Sequence, residues 1–293
     1  MKDFKGTIFA HIVAVLVVAV WGTTFVSSKV LITHGMEPAS IFFFRFLMAY
    51  VCIIFVSHKR LFASNLLDEL TLLCLGMMGG SLYFLSENMA LKYSTASNVG
   101  ILVGTTPLLT ALILALFYKS ERMMLRQVCG SLVAFVGMVL VILNGQLVLH
   151  LNPLGDALAL GASLTWALYS LCMKRVMGRY SVDFITRKVF GYGLLTILPY
   201  FIWVSPLQSS WQLLSTPVVA GNLLFLGFVA SLGCYLVWNW VMARIGAVTA
   251  TNYIYSQTLV TMAVATIVLH ERITLMAVAG AVILIVGMWR MKN

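Results

Sequence analysis

The chain has 293 residues, of which 61% are hydrophobic and only 10% are charged, and its mean hydropathy is +0.99. A water-soluble domain carries about a quarter charged residues, because its surface must be solvated. The composition therefore excludes a soluble fold and predicts an integral membrane protein whose surface faces lipid. The net charge is +10. The basic residues stand singly or in short clusters between apolar runs, so the continuous basic face that nucleic acid needs is not expected.

Cysteine spacing argues against a disulfide framework or a zinc site. The chain has five cysteines, about one to each apolar stretch, and none forms a CxxC pair: Cys52, Cys74, Cys129, Cys172 and Cys234. We interpret them as small buried hydrophobic residues, and we expect neither a metal nor another cofactor.

Ten apolar segments are long enough to cross a bilayer, since a helix spans the ~30 Å hydrocarbon core in about 20 residues. The longest uncharged run, 189–243, is divided in two by the polar stretch 205–210 and by Pro217. The sequence thus predicts an all-α integral membrane protein. Its ten predicted spans are 8–32, 38–57, 70–91, 95–117, 125–143, 155–173, 184–204, 217–241, 247–269 and 273–290.

An internal repeat relates the two halves of the chain. Matching residues at a constant offset of 150 positions are Glu121 and Glu271, Arg122 and Arg272, Gly130 and Gly280, and Gly137 and Gly287. We interpret residues 1–147 and 152–293 as two repeats of five spans each, a form of duplication common in transporters. An odd number of crossings turns the second copy upside down, so the repeats are predicted to be inverted.

The distribution of basic residues gives the predicted orientation. If both termini are cytoplasmic, only four of the nineteen Lys and Arg lie outside or in outer halves of spans, namely Lys29, Arg45, Lys92 and Arg272. This is the bias expected of cytoplasmic loops. Lys2 and Lys5 before an apolar run resemble a signal peptide, but no small-x-small cleavage site closes that run. We expect the first span to be retained and the protein to lie in a bacterial inner (plasma) membrane.

These features together resemble the EamA-like branch of the drug/metabolite transporter superfamily. The residues that carry the resemblance are Trp21-Gly22-Thr23-Thr24-Phe25 with Lys29, Pro38, Phe44-Arg45-Phe46, Ala90-Leu91-Lys92-Tyr93-Ser94-Thr95-Ala96, Pro107-Leu108, and Glu121-Arg122 with Gly130 and Gly137. The second half departs from the pattern, with Leu259 near the point that matches Pro107. The resemblance implies ten helices around a central cavity, alternating access between inverted repeats, and small organic solutes as cargo, often amino acids leaving the cell.

The midplane of the predicted spans supplies the candidate substrate site, because inverted repeats place the site there. Residues at or within about a turn of that depth are aromatic and uncharged, which suits a neutral or zwitterionic solute with an apolar part and disfavours a phosphorylated one. Any one of these side chains could instead serve only helix packing. The predicted substrate-binding residues are Trp21, Thr24, Tyr83, Thr105, Trp166, Tyr169, Tyr253 and Gln257.

Two ionisable residues are candidates for gating or coupling, since charges inside a bilayer are costly. At 1.5 Å per residue, Arg45 lies roughly 10 Å and Glu87 roughly 8 Å below the outer edge. They form either an ion pair that closes the outer side or docking groups for the carboxylate and amine of a zwitterion. A snorkelling arginine and an interfacial glutamate are the structural alternative.

Further gating candidates are a histidine and two helix-breaking motifs. His11 could titrate near the inner end of the first span, or it could be a quiet interface residue. Pro107 removes a helix hydrogen bond, and a kink near the midplane is therefore expected. The pair Gly79-Gly80 indicates either flexibility or close helix packing.

The sequence therefore predicts a secondary transporter that exports amino acids or related metabolites, with the lipid bilayer and a small-molecule substrate as partners and protons as candidate coupling ions. It is not expected to be an enzyme. An uncoupled facilitator or channel is the alternative. An intramembrane enzyme is a second, weaker alternative. The segment most similar to a zinc-protease motif is His270-Glu271-Arg272-Ile273-Thr274, and it lacks the second histidine of a zincin helix. Nothing in the sequence indicates the oligomeric state.

Overall fold

Helices make up the regular secondary structure of the described residues. The computed structural model describes residues 4–58, 60–94, 96–119, 124–143, 152–207, 212–269 and 274–292. In chain order the helices are α1 (Phe4–Thr33), α2 (Pro38–Val56), α3 (Leu66–Gly76), α4 (Leu82–Tyr93), α5 (Ala96–Val103), α6 (Thr106–Phe117), α7 (Leu125–Leu143), α8 (Pro153–Val176), α9 (Val182–Trp203), α10 (Pro217–Leu224), α11 (Cys234–Ile245), α12 (Ala247–Thr251), α13 (Ile254–Leu269) and α14 (Leu275–Lys292).

The predicted all-α class is confirmed. Within the described ranges, seven helical segments are long and apolar enough to cross a membrane: Gly6–Thr33, Pro38–Val56, Leu66–Tyr93, Val99–Phe117, Leu125–Leu143, Pro153–Val176 and Pro217–Ile245. A shorter apolar helix covers Leu275–Arg290. The protein is therefore a multi-pass membrane protein, and the count of ten crossings stays a prediction.

Local sequence signals explain where several helices begin. A proline lies in the first turn of α2, α6, α8 and α10, where its missing N–H costs nothing and its fixed φ suits a helix. Asn65 caps α3 by accepting from the backbone N–H of Asp68 at 2.8 Å, and Asn152 caps α8 by accepting from Gly155 at 2.9 Å. Such caps satisfy backbone donors that a helix start leaves unpaired.

Interruptions occur at matching places in the two halves. A π-helical segment, Met77–Ser81, joins α3 to α4, and another, Phe225–Gly233, joins α10 to α11. A short break at residues 104–105 separates α5 from α6, and one at 252–253 separates α12 from α13. The kink expected near Pro107 takes the form of this first break, which ends two residues before the proline. Pro107 itself lies in the first turn of α6, because a proline fits the start of a helix.

The first π-helical segment packs closely against its neighbours. A Cβ added at Gly79 would lie 2.2 Å from Cδ2 of Tyr169, so the aromatic ring occupies the place of a side chain. The hydroxyl of Tyr235 donates to the carbonyl of Gly79 at 2.5 Å, which satisfies a backbone acceptor within the irregular turn. The sequence left flexibility and close helix packing open for Gly79-Gly80, and the structure shows close packing.

The repeated glycines meet across one helix pair. A Cβ added at Gly137 of α7 would lie 2.3 Å from the backbone nitrogen of Leu284 in α14, and one at Gly287 would lie 2.3 Å from that of Ala134. The residue numbers run in opposite directions along this contact, so α7 and α14 are antiparallel. Their backbones touch because no side chain intervenes. The Glu-Arg pairs that precede these glycines in the sequence lie outside the described residues.

The bundle has two ends, which we name by where the chain starts. The proximal end contains the start of α1, the α2–α3 connection and the α8–α9 connection. The distal end contains the α1–α2 turn and the end of α4. At the proximal end the Arg187 side chain of α9 donates to the carbonyls of Ser57 and Arg60 in the α2–α3 connection. At the distal end Leu213 lies near the α1–α2 turn, since its Cδ1 would be 4.0 Å from a Cβ added at Gly35.

Candidate functional site

A small central cavity lies between helices of both halves. It offers about 40 Å³ to the centres of water molecules, and since one water needs about 10–15 Å³ by this measure, it has room for only a few. The lining residues come from α1, α2, α4, α5, α6, α8, α11 and α13. They are Trp21, Thr24, Arg45, Tyr83, Phe84, Glu87, Val103, Thr106, Trp166, Tyr235, Ile254 and Gln257.

Aromatic rings form much of the cavity wall. Trp21 and Trp166, which come from opposite halves of the chain, meet edge to face with ring centroids 5.5 Å apart. Tyr83 contacts Trp166 at 4.9 Å and Tyr235 contacts Trp21 at 6.0 Å. Trp21 donates its indole N–H to the carbonyl of Ala230 at 3.1 Å. The indole nitrogen of Trp166 is buried and has no acceptor among the described residues.

Arg45 presents a largely unsatisfied guanidinium to this cavity. The side chain is 1% exposed, its Nε donates to Ser231 Oγ at 2.8 Å, and its guanidinium carbon lies 4.2 Å from the ring centre of Phe84. Within the described part of the chain, its terminal amino groups have no hydrogen-bond acceptor. A buried cation with free donors is a site for an anion such as a carboxylate.

Glu87 presents the opposite charge. It is 6% exposed, and one carboxylate oxygen, Oε1, accepts from the hydroxyl of Tyr83 at 2.8 Å. No described residue donates to the other oxygen, Oε2. Among the described residues Glu87 forms no ion pair with Arg45. The predicted direct pair is therefore absent from this conformation, although both charges face one cavity.

Five of the eight predicted substrate-binding residues line this cavity: Trp21, Thr24, Tyr83, Trp166 and Gln257. Gln257 ties α13 to α1, since its Nε2 donates to the carbonyl of Trp21 at 3.3 Å. The hydroxyl of Thr24 donates to the same carbonyl at 2.8 Å. The Gln257 contact joins the first and last parts of the cavity wall, whereas the Thr24 contact lies within α1.

The other three predicted residues lie elsewhere. Thr105 returns its hydroxyl to the carbonyl of Leu102 at 2.6 Å, in the break between α5 and α6. Tyr169 is fully buried and donates to Asn239, whose Nδ2 donates to Thr186 at 2.9 Å. Counting to a depth does not fix the direction in which a helical side chain points, and here that direction leads away from the cavity.

The expectation of an uncharged lining is wrong. Arg45 and Glu87 line the same cavity as the tryptophans, although counting placed them nearer the outer edge. Counting along a span gives a depth but no rotation of the helix, so it does not show which side chains face a common cavity.

His11 and Tyr253 line a second, larger cavity near the proximal end. His11 Nδ1 and the Tyr253 hydroxyl share a hydrogen bond of 2.7 Å. We call this space the proximal cavity; it offers about 390 Å³ to water centres. It is lined by His11, Gln127, Val248, Thr249, Asn252, Tyr253, Ser256, Leu259, Ile285, Met288 and Trp289.

Sequence reasoning missed a buried charge network at the proximal end. Arg187 of α9 donates to the carbonyls of Ser57 and Arg60, and to that of Leu61 at 3.4 Å. Lys188 pairs with Glu69 of α3. The sequence shows these charges only as helix-start residues, and no local spacing signals that they meet.

Comparison with known proteins identifies the family. The model of the EamA-like transporter family matches residues 8–143 and again 153–291. The chain belongs to this transporter family. A probable amino-acid metabolite efflux pump of Escherichia coli is 28% identical to this chain, in an alignment that covers 95% of this chain and 93% of the pump. The protein of the same name from Salmonella typhimurium is 29% identical, over 94% of this chain and 92% of its own.

A solved crystal structure has the same fold as this EamA-like chain. It superposes with a TM-score of 0.70 at 16% identity and covers 97% of this chain and 98% of its own. At this identity the likeness concerns the fold alone.

Proposed function

We propose that this EamA-like transporter exports zwitterionic amino acids, or closely related neutral metabolites, through the central cavity by alternating access. The observation that carries the proposal is that Arg45 and Glu87 face one cavity without pairing with each other. Two buried, unpaired charges are costly in a membrane. A zwitterion offsets both costs at once, since its carboxylate suits the guanidinium and its ammonium suits the carboxylate.

The aromatic wall supports the choice of cargo. Trp21 and Trp166 offer faces and edges to an apolar side chain, each contributing on the order of 1 kcal/mol beyond area burial. Gln257 offers an amide donor and acceptor. A phosphorylated solute would need several cations, and Arg45 is the only Lys or Arg among the described lining residues.

The same architecture supports transport through two inverted repeats with ten spans and both termini in the cytoplasm of a bacterial inner membrane. The matching interruptions in the two halves and the antiparallel glycine contact of α7 with α14 are what such repeats would produce. Inverted repeats move by rocking around a midplane site. The central cavity fits that position, because helices of both halves line it.

The small size of the cavity favours a carrier over a pore. With room for only a few waters, the site is too small for a solute of amino-acid size in this conformation, so the helices must move to admit one. The names of the two relatives, amino-acid metabolite efflux pumps, agree with export of such solutes.

Counterflow in liposomes tests the proposal. The purified protein is reconstituted, vesicles are loaded with an unlabelled solute, and uptake of labelled leucine is followed. We expect internal leucine or another zwitterionic amino acid to accelerate uptake, and internal glucose 6-phosphate to have no effect. Uptake that is insensitive to internal solute would indicate a pore, and preferred exchange of phosphorylated sugars would contradict the proposed cargo.

A further inference from the structure

The two π-helical segments of the bundle occupy equivalent places in the two halves of the chain. Ser81 ends the first segment, and Ser231 lies in the second, at the same offset of 150 positions that relates the repeated glycines. Both side chains are buried, at 2% and 0% exposure. Irregular turns of this kind are frequent at functional sites. The two serines nevertheless have different partners.

Ser81 contributes to the packing of two helical segments, whereas Ser231 contacts a residue of the central cavity. The Ser81 hydroxyl shares a hydrogen bond of 2.7 Å with the hydroxyl of Thr196 in α9. Ser231 Oγ instead accepts from Nε of Arg45 at 2.8 Å. Ser231 is not among the described residues that line the cavity, so any part that it takes in binding passes through Arg45.

Close packing lets the short serine side chain reach Arg45. A Cβ added at Gly227, about one turn before Ser231, would lie 3.2 Å from Cβ and 2.5 Å from Cε of Met48 in α2. The second π-helical segment therefore lies directly against the helix that carries Arg45. Because of this approach, one hydroxyl is enough to join the second half of the chain to a buried cation of the first half.

The same segment orients a second residue of the cavity wall. The carbonyl of Ala230, next to Ser231, accepts from the indole N–H of Trp21 at 3.1 Å. Trp21 and Arg45 both line the central cavity and both come from the first half. Two consecutive residues of the second half thus hold an aromatic and a cationic member of the cavity wall.

The Ser231 contact decides which part of the guanidinium remains for a ligand. A guanidinium is planar, and a carboxylate binds it best through two parallel N–H groups. Since Nε donates to Ser231, the two terminal amino groups are the pair that remains for a carboxylate. The guanidinium carbon also lies over the ring of Phe84, 4.2 Å from its centre, and this contact adds a second restraint on the orientation.

We propose that Ser231 is a positioning residue for Arg45, and that its hydroxyl sets the selectivity of the central cavity for the carboxylate of the cargo. Without this acceptor the guanidinium can rotate, and fewer of its orientations present both terminal amino groups to a carboxylate. The amine of the cargo, which faces Glu87, is not affected. This inference deepens the proposed function and rests on it for the identity of the cargo.

Three substitutions of Ser231 separate hydrogen bonding from packing. Ser231→Ala removes the acceptor, Ser231→Cys keeps nearly the same volume with only a weak acceptor, and Ser231→Thr keeps the hydroxyl. Ser81→Ala, at the equivalent position of the other half, is the matched control. Size-exclusion chromatography measures the folded yield, and the Ala and Cys variants decide the question if the Thr variant does not fold.

Leucine counterflow in liposomes measures the selectivity, with two competitors: leucinamide, which lacks the carboxylate, and 4-methylpentanoate, which lacks the amine. For Ser231→Ala and Ser231→Cys we expect the KM for leucine to rise about tenfold, as for the loss of a hydrogen bond to a charged group, with little change in the maximal rate. The preference for leucine over leucinamide should fall by the same factor, while the preference over 4-methylpentanoate should stay. Ser231→Thr and Ser81→Ala should match the wild type.

Four results would overturn the positioning role. Wild-type selectivity in Ser231→Ala would show that the hydroxyl is not needed, and wild-type selectivity in Ser231→Cys would show that the residue acts through packing. A loss of selectivity in Ser81→Ala as large as that in Ser231→Ala would indicate a general disturbance of the bundle. A loss of preference over 4-methylpentanoate in Ser231→Ala would indicate the same.

Calorimetry separates this inference from the proposed function. Binding of 4-methylpentanoate to the purified protein reports on the carboxylate contact without transport, and its dissociation constant should rise about tenfold in Ser231→Ala. This rise without leucine counterflow in the wild type would leave the positioning role standing and contradict transport of leucine. Leucine counterflow with unchanged selectivity in Ser231→Ala would leave the transporter proposal standing and remove the role of Ser231.

Discussion

At the proximal end the α2–α3 connection is held against α9 by buried charges, whereas at the distal end the two halves meet mainly through apolar side chains. Proximally, Arg187 is 4% exposed, and the side chains of Lys188 and Glu69 are 10% and 17% exposed. Distally, Leu31 and Met36 pack with Val219 and Leu223. The distal ion pair, Glu37 with Lys92 at 3.4 Å, is partly exposed and lies within the first half.

This difference has a mechanical consequence. Charge-assisted hydrogen bonds depend on direction, and separating them leaves buried charges unpaired at high cost. Apolar contacts do not depend on direction and tolerate sliding. We therefore expect the α2–α3 and α9 contact to stay closed while the distal ends of the halves move apart more readily.

Removing the central cation of the proximal network should have the largest effect. Arg187→Leu leaves the carbonyls of Ser57, Arg60 and Leu61 without their donor, and we expect a loss of on the order of 3 kcal/mol in the free energy of unfolding. Arg187→Lys should recover only part of it, because one ammonium cannot reproduce the planar guanidinium. Unfolding in mixed detergent micelles measures both.

Arg126→Leu is the matched control for this experiment. Arg126 lies exposed in the first turn of α7, and its replacement should change the free energy of unfolding by less than about 0.5 kcal/mol. If Arg187→Leu were no more destabilising than this control, the proximal end would not be held by charge.

The ion pair between α3 and α9 should give the next largest effect. Glu69 accepts from Lys188, from the Tyr192 hydroxyl and from the backbone N–H of Ala63 at 2.5 Å. Glu69→Gln leaves a buried ammonium without its counter-charge and should cost about 2 kcal/mol of unfolding free energy. The double variant Glu69→Gln with Lys188→Met should recover part of that loss, and simple additivity of the two single changes would show that the pair is not coupled.

The distal pair should have the smallest effect. Glu37→Gln removes the partner of Lys92 where both side chains are partly exposed, at 35% and 40%. Exposed pairs contribute about 0–1 kcal/mol, so the thermal midpoint in detergent should barely move. A loss as large as that of Glu69→Gln would erase the contrast between the two ends.

The helices could be predicted from the sequence because lipid requires every backbone group to be paired within its own segment. The predicted spans 38–57 and 125–143 correspond closely to Pro38–Val56 and Leu125–Leu143. Apolar runs and proline positions carry that information directly.

The site could be predicted only in part, because it depends on how helices rotate against one another. Trp21 and Trp166, which counting places near the midplane in opposite halves, meet in one cavity wall. The position of Arg45 in the same cavity wall, and the direction of Tyr169 towards Asn239, depend on helix rotation, which hydropathy does not encode.

The substrate preference of charge variants tests the proposed cargo site most directly. Counterflow of leucine is compared with competition by leucinamide, which lacks the carboxylate, and by 4-methylpentanoate, which lacks the amine. We expect wild-type protein to prefer leucine, Arg45→Gln to lose its preference for leucine over the amide, and Glu87→Gln to lose its preference over the acid. If both variants kept the wild-type order of preference with unchanged KM for leucine, Arg45 and Glu87 would not bind the cargo.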